Sequence, residues 1–285
     1  MTADADPASD VTAGTDADGD AHEPTLARLF VHPVKSLDPH PVERATVLEA
    51  GGLSHDREFA VFDADGEYVN GKREPRIHRI RSRFDSEDGT LALREHGSDE
   101  ERVFPLDARD ELEAWLADHL GYEVTVRRDE RGGFPDDTHA SGPTVVSTGT
   151  LDAVASWFDL PSDDVRRRLR PNLVVRAPAF WEDRLYSAES RDRVVGFTVG
   201  GAAFEGTNPC QRCVVPTRDP DTGEETPGFR ERFVEKRRET LPEWAGDVWY
   251  DHHFRLMVNT RVPRGTVGAE LSLGDPVEVG EERPA

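Results

Sequence analysis

The sequence predicts a β-rich α+β protein: two successive units built from short strands, the second barrel-like, with a few short helices. Three observations lead there. Short apolar runs recur along most of the chain, separated by Gly, Pro, Asp and Asn. Helical periodicity is confined to a few stretches. Strands and long helical segments do not alternate as a parallel βαβ sheet requires.

In chain order, residues 1–24 are rich in Asp, Ala, Gly and Thr and nearly free of large apolar side chains, so they are expected to form a disordered acidic tail. Strands are expected at 26–33, 44–50, 57–63, 90–95 and 122–128, with a hairpin turn at Asp63–Ala64–Asp65–Gly66. One helix interrupts them, with Asp107 as its N-cap, Leu112, Trp115, Leu116 and Leu120 on one face, and Gly121 as its stop. The polar stretch DERGGFPDDTHASGP (129–143) marks the boundary, giving units at 25–130 and 138–282. Beyond it a strand at 144–147 leads into a helix carrying Leu151, Val154, Ala155 and Phe158. A basic helix near 163–169 and a charged one near 228–239 follow, with strands at 172–177, 194–199, 212–216, 253–259 and 276–279. The glycine-rich VGGAAFEG (199–206) lacks dinucleotide-binding spacing and is expected to be a turn.

Composition excludes several classes of function. Of the 285 residues 36% are hydrophobic and 32% charged, with a net charge of −22, which repels nucleic acid and anionic membranes. Lysine occurs only as Lys35, Lys72 and Lys236, a balance suited to a high-salt cytosol such as that of haloarchaea. No basic segment leads into an apolar run, and no run approaches spanning length, so a cytoplasmic protein is expected. The two cysteines form no disulfide framework and are too few for an iron–sulfur cluster.

The densest chemical signal is Asn208-Pro-Cys-Gln-Arg-Cys213, continued by Val-Val-Pro-Thr-Arg-Asp219-Pro-Asp221-Thr-Gly223. A Cys-x-x-Cys pair can be half of a zinc site, a dithiol switch, or one reactive thiolate with a helper. Zinc would need His252 and His253, which as strand neighbours would point to opposite faces. A thioredoxin-like site would open a helix, whereas a strand is expected after Cys213. A thiolate beside Arg212 is electrostatically favoured and is a soft metal ligand, with Asp219 and Asp221 in the following turn.

This string, Cys-x-Arg-Cys followed by Thr-x-Asp-Pro-Asp-Thr-Gly, resembles the MOSC domain of the mitochondrial amidoxime-reducing component family and its bacterial relatives. Other segments match in the same order: HPVKS (32–36), HDREFAVFDADGEYVNGKREPRI (55–77), RPNLVV (170–175) and GTVGAELSLGDPVEV (265–279). The resemblance implies an N-terminal MOSC domain followed by a MOSC barrel, binding molybdenum cofactor. It implies Cys213 as metal ligand, and cofactor contacts from Lys35, Ser36, Arg57, Ser141, Arg170 and Asn172. Physical chemistry agrees with it: cations and hydroxyls suit a phosphate, and an amide suits a pterin edge. Arg212 and His253 are further candidates for cofactor contact. Gln211 departs from the family's mammalian members, which have serine there.

The resemblance further implies reduction of N-hydroxylated or related N-oxygenated small molecules, with electrons from a separate donor protein. Molybdenum and tungsten accept the same ligands. Proton carriers would be Asp219, Asp221 and His253, which are read equally well as a turn-capping pair and a strand histidine. Two other functions compete: a sulfur or molybdenum-cofactor carrier of the MOSC sulfurase type, and a non-catalytic cofactor-binding module.

Overall fold

The computed structural model describes residues 23–285, so the expected acidic tail lies almost wholly outside the described residues. The first half contains β1 (Thr25–Val31), β2 (His40–Val42), β3 (Arg44–Thr46), β4 (Phe59–Asp63), β5 (Ile80–Asp85), β6 (Thr90–Glu95), β7 (Arg102–Pro105), α1 (Asp110–Leu120) and β8 (Val124–Arg128). The second contains β9 (Val145–Ser147), α2 (Thr148–Phe158), α3 (Ser162–Leu169), β10 (Leu173–Arg176), β11 (Arg193–Val199), β12 (Ala202–Gln211), α4 (Phe229–Thr240), β13 (Arg255–Arg261), β14 (Glu270–Ser272) and β15 (Val277–Pro284).

Eight strands form the main sheet in the order β15-β11-β12-β13-β9-β10-β1-β2. Among the described residues of this sheet, only β9 and β10 pair in parallel. The sheet curls until Thr25, at the start of β1, bridges Pro276 beside β15. Two strands from the first half thus complete a sheet made mainly by the second, and β3 pairs with β14 in the same way.

The strand period of two divides apolar residues between the sheet's faces. Val145, Leu173 and Val175 enter the barrel interior with Leu26, Phe197 and Phe204. Their neighbours Val146 and Val174 face the helices instead, with Leu151, Trp157, Leu169 and Phe233. A separate core in the first half packs α1 through Leu112, Leu116 and Leu120 against Phe59, Ile80, Leu93 and Phe104. Among the described residues no helix is long and apolar enough to cross a membrane.

Three expectations need correction. The helix α1 starts at Asp110 with Arg109 at the N-cap, not Asp107, and no side chain caps it. Asp110, Glu111 and Glu113 instead place negative charge at its positive end. The segment 199–206 is mostly strand: only Gly200–Gly201 turn, and β12 runs on through Gly206, where a side chain's Cβ would lie 1.6 Å from the Leu185 carbonyl oxygen. No strand follows Cys213, because β12 ends at Gln211 and Val215–Thr217 form a short 3-10 turn.

A buried ionic cluster fastens α4 beneath the barrel. Arg237 is fully buried, donates to Asp183 at 2.6 Å and to the Tyr250 hydroxyl at 2.8 Å, and lies over the Phe180 ring. Next to it, Glu182 accepts from Thr150 Oγ1 at 3.0 Å and from the Ser147 amide at 3.2 Å. Burial and the adjacent Asp183 carboxylate push the Glu182 carboxyl up to about 7.

Such a carboxyl holds its proton more tightly in the folded state, so its stabilising contribution is complete below pH 4.5 and fades as pH rises through about 7. In urea unfolding, wild type is expected to lose stability relative to Glu182→Gln as pH rises from about 5 to about 8. A difference independent of pH would show a carboxyl ionised throughout. Arg237→Ala leaves Asp183 buried without its partner and is expected to cost about 3–5 kcal/mol in the same assay.

Candidate functional site

A cavity of about 480 Å³ lies where the two halves meet, within the range of small-molecule sites. The first half contributes Ser36, Asp56 and Arg57, and the polar stretch between the halves contributes Asp136 and Ser141. The second half supplies Arg170 from the end of α3, Asn172, the Cys210–Cys213 segment, and Met257 and Asn259 from β13.

Backbone strain marks the same place. Of seven non-glycine residues with positive φ among the described residues, four line the cavity: Ser36 (76°), Arg57 (51°), Arg170 (58°) and Met257 (70°). Such conformations persist only where packing over-determines them, and they concentrate at functional sites. Arg170 adopts its geometry as the left-handed cap of α3, which turns its side chain from the helix into the cavity.

One end is cationic. Lys35 is buried and donates to the Phe134 carbonyl at 2.9 Å and to Asp136 Oδ1 at 2.6 Å. Arg57 pairs with Asp56 and lies 3.5 Å from Asp136 Oδ2. Burial alone would raise the Asp56 pKa, but the charge of Arg57 and hydrogen bonds from His32 outweigh it and hold the carboxyl below the usual range. His32, fully buried, is pushed down to about 3 by desolvation and by Arg170, so it is neutral, with no protein partner for its Nε2. Arg170 itself is lowered to about 10 by burial and by the like charge of Arg57. His78, also on the cavity wall, is lowered to about 4 by burial, with Arg170, Arg218 and Arg81 adding to the effect.

The other end carries the two free thiols. Cys210 and Cys213 are both half-buried and both line the cavity. Arg212 does not stand beside Cys213 as expected. Its Nη1 donates to Cys210 Sγ at 3.1 Å and its Nη2 to the Leu169 carbonyl at 2.9 Å, so Cys210 is the thiol with the adjacent cation. Exposed Gln211 and Val214 flank the segment, which opens this end to solvent. Among the described residues, no group of three or more His, Cys, Asp or Glu side chains is placed to hold a metal ion.

The remaining expected residues divide. Ser141 lines the cavity and donates to the Ala50 carbonyl at 2.7 Å. Asn172 lines it too, but its amide is engaged by strand partners: Nδ2 donates to the Phe30 carbonyl at 3.1 Å, and Oδ1 accepts from the Thr144 amide at 3.2 Å. Asp219, Asp221 and His253 are not on the cavity wall. Asp219 Oδ1 accepts from the amides of Asp221 and Thr222, both at 2.9 Å, closing its own turn. Asp221 pairs with Arg81 of the first half at 2.8 Å and Arg167 of the second at 2.6 Å, bracing the halves together. His253 packs on Tyr250, with ring centroids 5.4 Å apart.

Asp56, Asp136, His78 and Met257 were missed. Asp136 lay in the stretch read as a boundary, where polarity alone says solvent. Asp56 beside Arg57 was a usable signal, since neighbouring opposite charges at a strand entrance suit a buried pair. Met257 had none, because its inward turn depends on irregular pairing between β12 and β13.

Comparison with known families fits this architecture. The profile of the MOSC N-terminal beta barrel domain matches residues 23–123, and that of the MOSC domain matches residues 139–278. The chain belongs to the MOSC family. The seam between its two MOSC units is where the cavity lies. Among curated relatives, molybdenum cofactor sulfurase of Drosophila melanogaster is 27% identical over 233 residues, covering 72% of this chain and 29% of that protein. The Caenorhabditis briggsae protein of the same name is 26% identical over 234 residues, covering 74% of this chain and 31% of its own. The chain therefore spans about 30% of the length of these relatives.

If Asp221 is a brace, Asp221→Asn should lower the melting temperature by a few degrees, the shift expected for about 1 kcal/mol in a chain of this size. Alkylation of Cys213, followed by peptide mass spectrometry, should proceed at the wild-type rate in that variant. A large change in the rate with no loss of stability would return Asp221 to the site.

Proposed function

We propose that the cavity binds a molybdenum cofactor, with the Cys213 thiolate as protein ligand to the metal, and that the protein uses it to reduce N-hydroxylated or related N-oxygenated compounds. The observation carrying this reading is that surplus cations and a soft thiol ligand line one cavity. Arg57 and Arg170 line it and Lys35 borders it, matching an anionic phosphate. Among the described residues no protein-only metal cluster exists, so a metal held at Cys213 needs ligands that arrive with it. A metal dithiolene supplies such ligands.

When bound, the cofactor supplies two-electron redox chemistry, and tungsten fits the same ligand as molybdenum. Lys35, Ser36, Arg57 and Arg170 would anchor its anionic end. Ser141 and the polar wall at Asn172 would orient it, and Cys213 would fix the metal's position. The open flank at Gln211 and Val214 gives a small substrate and solvent protons access to that end. Substrate N–OH, two electrons and two protons give N–H and water. Electrons come from a separate donor protein. With Asp219, Asp221 and His253 engaged elsewhere, proton delivery from solvent replaces the carriers expected from the sequence.

A second reading, a carrier that passes sulfur or cofactor to another protein, is favoured by the name of the two relatives above, both molybdenum cofactor sulfurases. Metal analysis combined with benzamidoxime reduction by a chemical electron donor separates the two. About one molybdenum or tungsten per chain with amidine formation supports the enzyme; metal without turnover supports the carrier; absence of both metal and pterin refutes the proposal. Cys213→Ala is expected to lose both metal and activity, whereas Cys210→Ala should retain substantial activity. Full activity in Cys213→Ala would remove the assignment of the ligand.

A further inference from the structure

The cationic end of the cavity already contains an anion, and the protein supplies it. Both hydrogen bonds of Lys35 Nζ go to one loop, to the Phe134 carbonyl and to Asp136 Oδ1 at 2.6 Å. The other Asp136 oxygen lies 3.5 Å from Arg57 Nε. The three partners differ in exposure: the side chains of Lys35 and Arg57 are 7% and 10% exposed, that of Asp136 61%. The cations are therefore fixed in the wall, and the carboxylate reaches them from the solvent side.

The loop is pinned just before this residue. Gly133, at φ +70°, lets the backbone approach so closely that a Cβ there would lie 2.5 Å from the Asp56 carbonyl oxygen and 2.6 Å from that of Arg57. The Phe134 amide donates to the Arg57 carbonyl at 2.8 Å, and its ring packs on Phe62 and Tyr68. Asp136 follows two residues later and makes no contact beyond Lys35 and Arg57 among the hydrogen bonds and ion pairs of the described residues.

Charge decides what can replace it. Lys35, Arg57, Arg170 and the wall residue Lys72 carry four positive charges against Asp56, Asp136 and Asp137, leaving one in excess; His32 is neutral, and nearby Asp38 is already paired with Arg81 at 3.1 Å. If Asp136 swings away, the excess becomes two. A dianion neutralises it fully. A monoanion only restores the balance Asp136 already gives, and it competes against a carboxylate tethered at high effective concentration.

We propose that Asp136 is an internal counter-anion occupying the anion subsite, and that it sets the charge threshold for binding there: a phosphate monoester dianion displaces it, and a monoanion does not. This rests on the reading above that the cationic end receives a ligand's anionic group. Asp136 is then a specificity-determining residue, and cofactor entry is coupled to release of the loop at 135–138.

The test uses the full chain from cells unable to make molybdopterin, titrated calorimetrically at about pH 8 with methyl phosphate, a dianion there, and dimethyl phosphate, a monoanion. Wild type is expected to bind methyl phosphate at least about tenfold more tightly, a tenfold ratio corresponding to about 1.4 kcal/mol. Asp136→Asn should bind both phosphates about tenfold more tightly than wild type does, because neither then has to displace a carboxylate. Unchanged or weakened binding of both probes in Asp136→Asn, or no binding of either to either protein, overturns the proposal. Hydrogen exchange on wild type tests it without the variant: methyl phosphate should speed exchange across residues 135–140 and dimethyl phosphate should not, and slowed or unchanged exchange with methyl phosphate contradicts displacement. Intact phosphate selectivity in a protein that never retains metal would refute the molybdenum reading while leaving this one standing.

Discussion

Lys35, Arg57 and Arg170 meet at the seam between two β-rich units, and holding them there constrains much of the surrounding structure. Removing a charge from water costs several kcal/mol, so each needs a counter-charge or a carbonyl in fixed geometry. Asp56 is held by the His32 amide at 2.8 Å, Arg170 donates to the Leu37 carbonyl at 2.7 Å, and Lys35 depends on the loop that carries Asp136. Strained backbone at Ser36, Arg57 and Arg170 aims these groups inward. The barrel supports that strain because β1, which leads directly into Lys35 and Ser36, is paired on both sides, with β10 and β2.

The same seam explains why the units do not separate cleanly. The strands β1 and β3 precede the first unit's own core yet pair with strands of the second, and β2 extends the same sheet by pairing with β1. Asp221 adds a charged brace between Arg81 and Arg167 at the opposite side of the 3-10 turn that follows Cys213. A cavity shared in this way holds its cations in the wall of both units and keeps its thiols half-buried beside exposed Gln211 and Val214, an arrangement that serves an anchored cofactor with an approachable metal. It also distinguishes the two thiols. Cys210 is tied to Arg212, which leaves Cys213 the less encumbered ligand.

Much of this was legible in the sequence. Strand periodicity located most of the strands, and the Cys-x-Arg-Cys string with its matching segments led to the MOSC family. Lys35, Ser36, Arg57, Arg170 and Cys213 converge on or beside one cavity although up to 178 positions separate them. What composition could not convey was direction. DPDTG reads equally well as an acidic proton-carrying pair and as a turn-capping pair; Asp219 closes the turn, and Asp221 braces the two halves. Arg212 reads as the helper of the nearer motif cysteine, yet the bulged pairing of β12 with β13 directs it to Cys210. FPDD reads as a linker because polar residues usually face water, and only the buried lysine opposite makes Asp136 part of the site.

The most direct test of the central claim, that the thiolate of Cys213 reaches the metal from the open end of this cavity, is X-ray absorption at the molybdenum edge. It should be measured on wild type and on Cys213→Ser reconstituted with cofactor. One sulfur neighbour fewer in the variant, replaced by a lighter atom, is the predicted result. An identical sulfur count in both proteins would contradict the assignment and leave the cavity as a cofactor site whose metal has no protein thiolate.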